Sequence, residues 1–216
     1  TSLACLARVK QIMGAKDGNK VLRGKQGGLN MGSITLVTGG ARSGKSSFAE
    51  KLAEEAGLAL GYIATARADD AEMRDRIAKH QKRRDARWQT FEEPMHPAHI
   101  IATHGNNIDA FLLDCLTLLV SNLLLSQRVD WELPTNGSLR SLEDMIMAEM
   151  VNLIEASTVY RGEVIMVSNE VGCGIVPPSP LARLFRDCAG QVNQCLAANA
   201  KRVYLVASGL PLCLKG

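Results

Sequence analysis

The sequence is poor in aromatic residues, which make up 4% of its 216 positions. It also contains no run of about 18 uninterrupted apolar residues, so no bilayer-spanning helix is expected. Cys5, Cys115, Cys173, Cys188, Cys195 and Cys213 form no CxxC pair and no other zinc-ligand spacing. They read as reduced core residues of a cytoplasmic protein, with a disulfide framework the weaker alternative. No internal repeat and no low-complexity run is present. The first residues lack a continuous apolar region followed by a small-residue cleavage site, so a secretory signal is not expected.

What remains is an ordinary globular composition, 46% apolar and 22% charged, long enough to bury a full core and best read as one domain. The formal net charge of +3 is unevenly spread. Among the first 30 residues, Arg8, Lys10, Lys16, Lys20, Arg23 and Lys25 stand against Asp17 alone, so the rest of the chain is net acidic. Gly14, Gly18, Gly24, Gly27 and Gly28 make this stretch a candidate flexible extension. A nucleic-acid-binding arm calls for more charge and for aromatics, and no nucleic-acid partner is expected.

Beyond it, strand and helix patterns alternate. Ile34 to Thr38 reads as a β-branched strand, Ser46 to Ala56 as a helix with Phe48, Leu52 and Ala53 on one side, and Leu58 to Ala64 as a second strand. An amphipathic helix is expected over Ala71 to Arg84, a third strand over Ala110 to Leu113 and an apolar helix over Leu116 to Leu125. Gln127 to Ser138 reads as a polar loop and Leu139 to Ser157 as a helix. "EVIMVSNEVG" ends a fourth strand, Ala182 to Ala198 is helical in pattern, and "RVYLVASGLPLCLK" supplies one or two more strands. This alternation predicts an α/β fold with a mostly parallel central sheet and helices on both faces.

The chemistry starts at "TLVTGGARSGKSSFAE". Gly39, Gly44, Lys45 and Ser46 match G-x-x-x-x-G-K-[ST] between a strand and a helix, the setting a phosphate-binding loop requires. Glycines let backbone N–H groups converge on phosphate oxygens, and the helix N-terminus adds partial positive charge. Lys45 can reach the β- and γ-phosphates, and the Ser46 hydroxyl can ligate Mg²⁺. Such a site needs a carboxylate at the end of a neighbouring strand, and "AFLLDCLT" offers Asp114, which can also cap the helix that follows.

A second constellation lies between Arg74 and Arg87, where Arg74, Arg76, Lys79, Lys82, Arg83, Arg84 and Arg87 surround His80 against Asp75 and Asp85. One reading is a solvated basic helix with an incidental histidine. The other is a nucleophile, because neutral imidazole can attack an α-phosphorus while nearby cations disfavour imidazolium and neutralise departing pyrophosphate. His96, His99 and His104 fall in a Pro-containing stretch, read as surface or structural, and form no metal set.

"TGGARSGKSSFAE", "YIATA", "DAEMRDRIAKHQKRR" with "RWQTFEEP", "LLDCLTLLVSNLL", "SNEVGCGIVPPSPLARLFRDCAGQVNQCLA" and "SGLPLCLK" follow one another in that order. Together they resemble the bifunctional adenosylcobinamide kinase/adenosylcobinamide-phosphate guanylyltransferases of cobalamin biosynthesis, over about residue 33 to the end. The resemblance implies a P-loop NTPase fold over 33–216, with 1–32 as a basic, glycine-rich extension outside the family pattern. It implies phosphorylation of adenosylcobinamide with GTP or ATP, then GMP transfer from GTP to adenosylcobinamide phosphate through a guanylylated histidine, here His80. Nucleotide contacts are implied at Gly39, Gly40, Ala41, Arg42, Ser43, Gly44, Lys45 and Ser46, then at Ala64, Thr65 and Ala66. Further contacts are implied at Gln81, Lys82, Arg83, Arg84, Glu92 and Asp114. His80, Lys45 and Asp114 are the expected catalytic residues, and Ser46 and Asp114 the expected Mg²⁺ ligands. A homotrimer is implied as well. Asn169 and Glu170 sit at a strand end, where they either line the cleft or form a structural turn. The rival functions are a monofunctional small-molecule kinase of the P-loop type and a non-enzymatic GTP-binding regulator.

Overall fold

The computed structural model of the chain describes residues 32–66 and 84–216. The elements among them are β1 (Ser33–Gly39), α1 (Lys45–Ala56), β2 (Leu60–Ala64), β3 (Trp88–Glu92), α2 (Pro97–His104) and β4 (Ala110–Asp114). They continue with α3 (Leu116–Leu125), α4 (Asn136–Val159), β5 (Glu163–Asn169), α5 (Pro180–Asn199), β6 (Arg202–Ala207) and β7 (Leu210–Lys215). The strands form one seven-stranded sheet in the order β3-β2-β4-β5-β1-β6-β7. All neighbours run parallel except β6 and β7, which form an antiparallel hairpin. The α/β fold with a mostly parallel sheet expected from the sequence is the one observed.

Side-chain alternation along the strands divides the core in two. Ile34, Leu36, Phe111, Leu113, Val164 and Met166 face α3, α4 and α5 in the larger cluster. Val37, Ala110, Leu112, Ile165 and Val167 face the other way, toward Ala49 and Ala53 of α1. Those two alanines are spaced one helical turn apart and have no exposed surface, which lets α1 lie close against the sheet. At the amino end of the strands, the Thr35 hydroxyl donates to Glu163 at 2.6 Å and Arg202 pairs with the same carboxylate, so β5, β1 and β6 are tied together there.

Several boundaries differ from expectation. The loop expected over Gln127 to Ser138 is shorter, because the Thr135 hydroxyl accepts from the Ser138 N–H at 3.1 Å and caps α4, so Asn136 and Gly137 begin the helix. Two elements were not foreseen. β3 is an edge strand in which Phe91 alone is buried, so its pattern carries little apolar alternation. α2 has eight residues and contains His99 and His104, and its helical signature is confined to Pro97 and Ile101 facing inward. The expected helix over Ala71 to Arg84 lies outside the described residues, apart from Arg84 itself. So does the expected flexible extension, apart from Gly32. Cys115, Cys188 and Cys195 are buried as expected, but Cys173 and Cys213 are exposed, because they sit in a surface loop and on the outermost strand.

Phe111 is fully buried and packs against Tyr160, at 5.2 Å between ring centroids, and Phe91, at 6.2 Å. Phe111→Ala is expected to lower the unfolding free energy by about 3–5 kcal/mol, measured by urea denaturation, through loss of buried area and the cavity left behind.

Candidate active site

Parallel pairing brings the carboxyl ends of the strands into one row. Ala64 lies opposite both Glu92 and Asp114, Asp114 opposite Val167, and Gly39 opposite both Asn169 and Val206. Period-two alternation also puts Asp114 on the face of Ala110 and Leu112, the side covered by α1. The carboxylate expected beside the phosphate loop therefore stands on the same face as the helix that the loop opens.

The loop itself is built on backbone geometry. Gly44 has φ of 94°, a left-handed conformation that L side chains avoid, and an added Cβ would lie 3.2 Å from the Cα of Gly209. Arg42 also takes positive φ, at 56°. Neighbours brace the loop from both sides: Gly209 N–H donates to the Ser43 carbonyl at 2.8 Å, and Glu170 N–H donates to the Gly39 carbonyl at 3.0 Å. Lys45 is largely buried and its ammonium donates back to the Gly40 carbonyl at 3.1 Å. The Ser43 hydroxyl oxygen is buried with no hydrogen-bond partner among the described residues. An orphaned hydroxyl and a lysine resting on a loop carbonyl are groups that a bound phosphate would satisfy.

Around Asp114 the polar groups form a connected set. The Tyr62 hydroxyl donates to Asp114 Oδ2 at 3.3 Å. Burial, and then the nearby Asp114 carboxylate, push the Tyr62 phenol well above its usual range, so it keeps the proton it donates. The Arg84 guanidinium carbon lies over the Tyr62 ring, 3.2 Å from its centroid, and the group reaches Glu50 of α1 at 3.5 Å. With 5% of its side chain exposed, Arg84 is committed to this stack.

Thr65 has no exposed surface. Its hydroxyl donates to the Cys115 carbonyl and accepts from the Cys115 N–H, both at 2.8 Å, and its N–H donates to the Asp114 carbonyl at 3.2 Å. The Asn122 side-chain amide donates to the Thr65 carbonyl at 2.8 Å. The Thr65 side chain thus joins the end of β2 to the start of α3, while Ala66 beside it is partly exposed. Asn169 donates to the Thr117 hydroxyl at 2.7 Å, which ties the end of β5 to α3. His80, Gln81, Lys82 and Arg83 lie outside the described residues.

The family model described as "Cobinamide kinase / cobinamide phosphate guanyltransferase" matches residues 35–214. The chain belongs to that family. It is 44% identical over 184 residues to the bifunctional adenosylcobalamin biosynthesis protein CobP of Pseudomonas aeruginosa, covering 84% of this chain and 96% of that protein. It is 45% identical over 182 residues to the bifunctional adenosylcobalamin biosynthesis protein CobU of Escherichia coli K12, covering 84% and 99%. Two solved structures, a KaiC-like protein of Pyrococcus horikoshii OT3 and the RadB recombinase, align with TM-scores of 0.42 and 0.43 at 14% and 16% identity. They cover 81% and 83% of this chain, and 71% and 76% of their own.

Three parts of the site were not singled out from sequence: Tyr62, Glu50 and the hairpin tip Ser208–Gly209. Tyr62 carried a usable signal, since it stands two residues before Ala64 and so shares the face of Asp114 across the strand pair. Glu50 carried none, because its partner Arg84 is 34 residues away. Arg84→Ala is expected to cost about 1–3 kcal/mol of stability in urea unfolding. Arg84→Lys should restore only part of it, since an ammonium cannot lie flat on the Tyr62 ring.

Proposed function

We propose that this member of the cobinamide kinase/guanyltransferase family phosphorylates adenosylcobinamide with GTP or ATP. It then transfers GMP from GTP onto the adenosylcobinamide phosphate, releasing pyrophosphate. The observation that carries this reading is the carboxyl edge of the sheet: a braced phosphate loop with Asp114 on the face of α1, in a chain whose family model spans residues 35–214.

In the kinase step, Lys45 exchanges the Gly40 carbonyl for phosphate oxygens, and the loop N–H groups from Gly40 to Ser46 hold the transferred group by charge and position. The donors also suit Mg²⁺. Ser46 and Asp114 supply hard oxygens, and no group of three His, Cys, Asp or Glu gathers as a metal site among the described residues. That suits an ion that keeps water and nucleotide phosphates in most of its positions. When bound, Mg²⁺ neutralises charge on the β- and γ-phosphate oxygens. Tyr62, by donating to Asp114 Oδ2, fixes which way that carboxylate points.

In the guanylyl step, a neutral His80 ring nitrogen attacks the α-phosphorus and the bond to pyrophosphate breaks. An oxygen of adenosylcobinamide phosphate then attacks the same phosphorus, breaking the P–N bond and returning His80 to its free form. Basic residues Lys82 and Arg83 offset the charge of the departing pyrophosphate. The family resemblance supports a homotrimer as the working unit and the cytoplasm as its location.

GTP labelled at the α-phosphate tests the second step: the wild-type protein is expected to acquire an acid-labile covalent label, and His80→Ala to lose both label and GMP transfer while still phosphorylating adenosylcobinamide. An unlabelled wild type, or a labelled His80→Ala protein, would rule out His80 as the nucleophile. Lys45→Ala is expected to reduce kcat/KM for phosphorylation by roughly 10²–10³-fold, measured by steady-state kinetics, because it removes a charge that acts on the transferred phosphoryl group.

A further inference from the structure

The connection from β5 to α5, residues 170–179, leaves the sheet next to the phosphate loop and is anchored at both ends. At its start, Glu170 N–H donates to Gly39 and the Glu170 carboxylate turns back to accept from Gly172 N–H at 3.0 Å. At its end, the Arg183 guanidinium donates to the Pro177 and Pro178 carbonyls at 3.0 and 2.5 Å. Ser179 caps α5, with Pro180 in its first turn. The two prolines fix their own φ angles and restrict the residues before them.

Between these anchors the chain carries Ile175 and Val176 outward, 97% and 61% exposed. The anchors hold the two ends of the loop and leave both side chains in solvent. Both side chains are β-branched and stiff at χ1, so covering them orders little. The loop therefore presents a preorganised apolar surface, flanked by the exposed backbone of Gly172 and Gly174.

We propose that Ile175 and Val176 form the contact for the corrin ring of the acceptor, with its apolar face on these side chains. The rim amides would be within reach of the open Gly172–Gly174 backbone, and the arm that carries the reacting oxygen would point over Gly39 into the phosphate loop. This rests on the proposed function. The nucleotide occupies the polar phosphate loop, and the acceptor must bring an oxygen to the same phosphorus atoms. The bulk of a large acceptor then has to rest on surface bordering the loop, and this connection borders it through the Glu170–Gly39 hydrogen bond.

The test is the double variant Ile175→Ser/Val176→Ser, whose positions are exposed and contribute little to the core. Expected is a KM for adenosylcobinamide raised about tenfold, with kcat at saturating acceptor, KM for nucleotide and sedimentation mass unchanged. An unchanged acceptor KM overturns the inference. So does a changed sedimentation mass with acceptor KM restored at high protein concentration, which would make the loop a contact between copies of the chain. A wild-type protein that neither binds nor turns over adenosylcobinamide defeats the proposed function. A wild type that turns it over beside a variant with unaltered KM defeats this inference alone.

Discussion

The position of β1 between β5 and β6 is the constraint from which the nucleotide edge follows. Its register sets Gly39 beside Asn169 on one flank and Val206 on the other, so the loop that follows emerges between two further strand ends. Each flank then supplies a backbone donor to the loop, Glu170 from the β5 side and Gly209 from the β6–β7 turn. The turn can do this because Ser208 and Gly209 both take positive φ, the backbone twist that closes a two-residue hairpin. A phosphate cradle works by holding N–H dipoles in place before the anion arrives, since dipoles that need not reorganise act with their full field. Bracing from both sides supplies that rigidity without any contact from the nucleotide.

The charged groups beside the loop are organised by burial rather than by surface pairing. Tyr62, Arg84 and Glu50 connect β2, the chain just before β3 and α1 in one continuous set of contacts, and Tyr62 passes that set on to Asp114. A cation largely withdrawn from water has to be compensated, and Arg84 finds both a π-face and a carboxylate. The result places the end of the basic stretch that contains His80 on a fixed support next to the phosphate-loop helix. Arg84 was expected to contact nucleotide. In the structure its guanidinium stacks on Tyr62, whose hydroxyl in turn donates to Asp114.

Much of the fold was legible because the buried strands carry β-branched or leucine-rich runs and the longer helices carry strong period-3.6 patterns. Trp88–Glu92 and Pro97–His104 escaped because each buries only one or two side chains, too few to generate a period. The phosphate loop and Asp114 were legible from spacing alone, since the loop chemistry is local in sequence and a parallel sheet aligns strand ends. Thr65 was legible only as part of a segment. Its hydroxyl is occupied by both backbone groups of Cys115, a pairing 50 residues apart that nothing in either local sequence announces. The Asn169 contact is of the same kind: its amide donates to Thr117 and ties β5 to α3, while Glu170 contributes its backbone to the loop.

Under the proposed function, one triphosphate must expose two different phosphorus atoms to two different attackers, and the sheet order offers a way to separate them. The segment containing His80 leaves the sheet after β2 and rejoins it at β3, whereas the pinned 170–179 connection leaves from β5, with β4 and its Asp114 between the two. Both connections lie on the same side of β1, so an acceptor resting on the β5 side borders the phosphate loop directly, whereas the segment after β2 starts three strands away from it. In-line displacement needs the nucleophile and the later acceptor to meet the same phosphorus from opposite sides, because each must enter opposite the group it expels, so that opposition has to come from how the α-phosphate is turned in the cleft rather than from the strand order. Asp114, at the end of β4 and hydrogen-bonded by Tyr62, stands between the two connections.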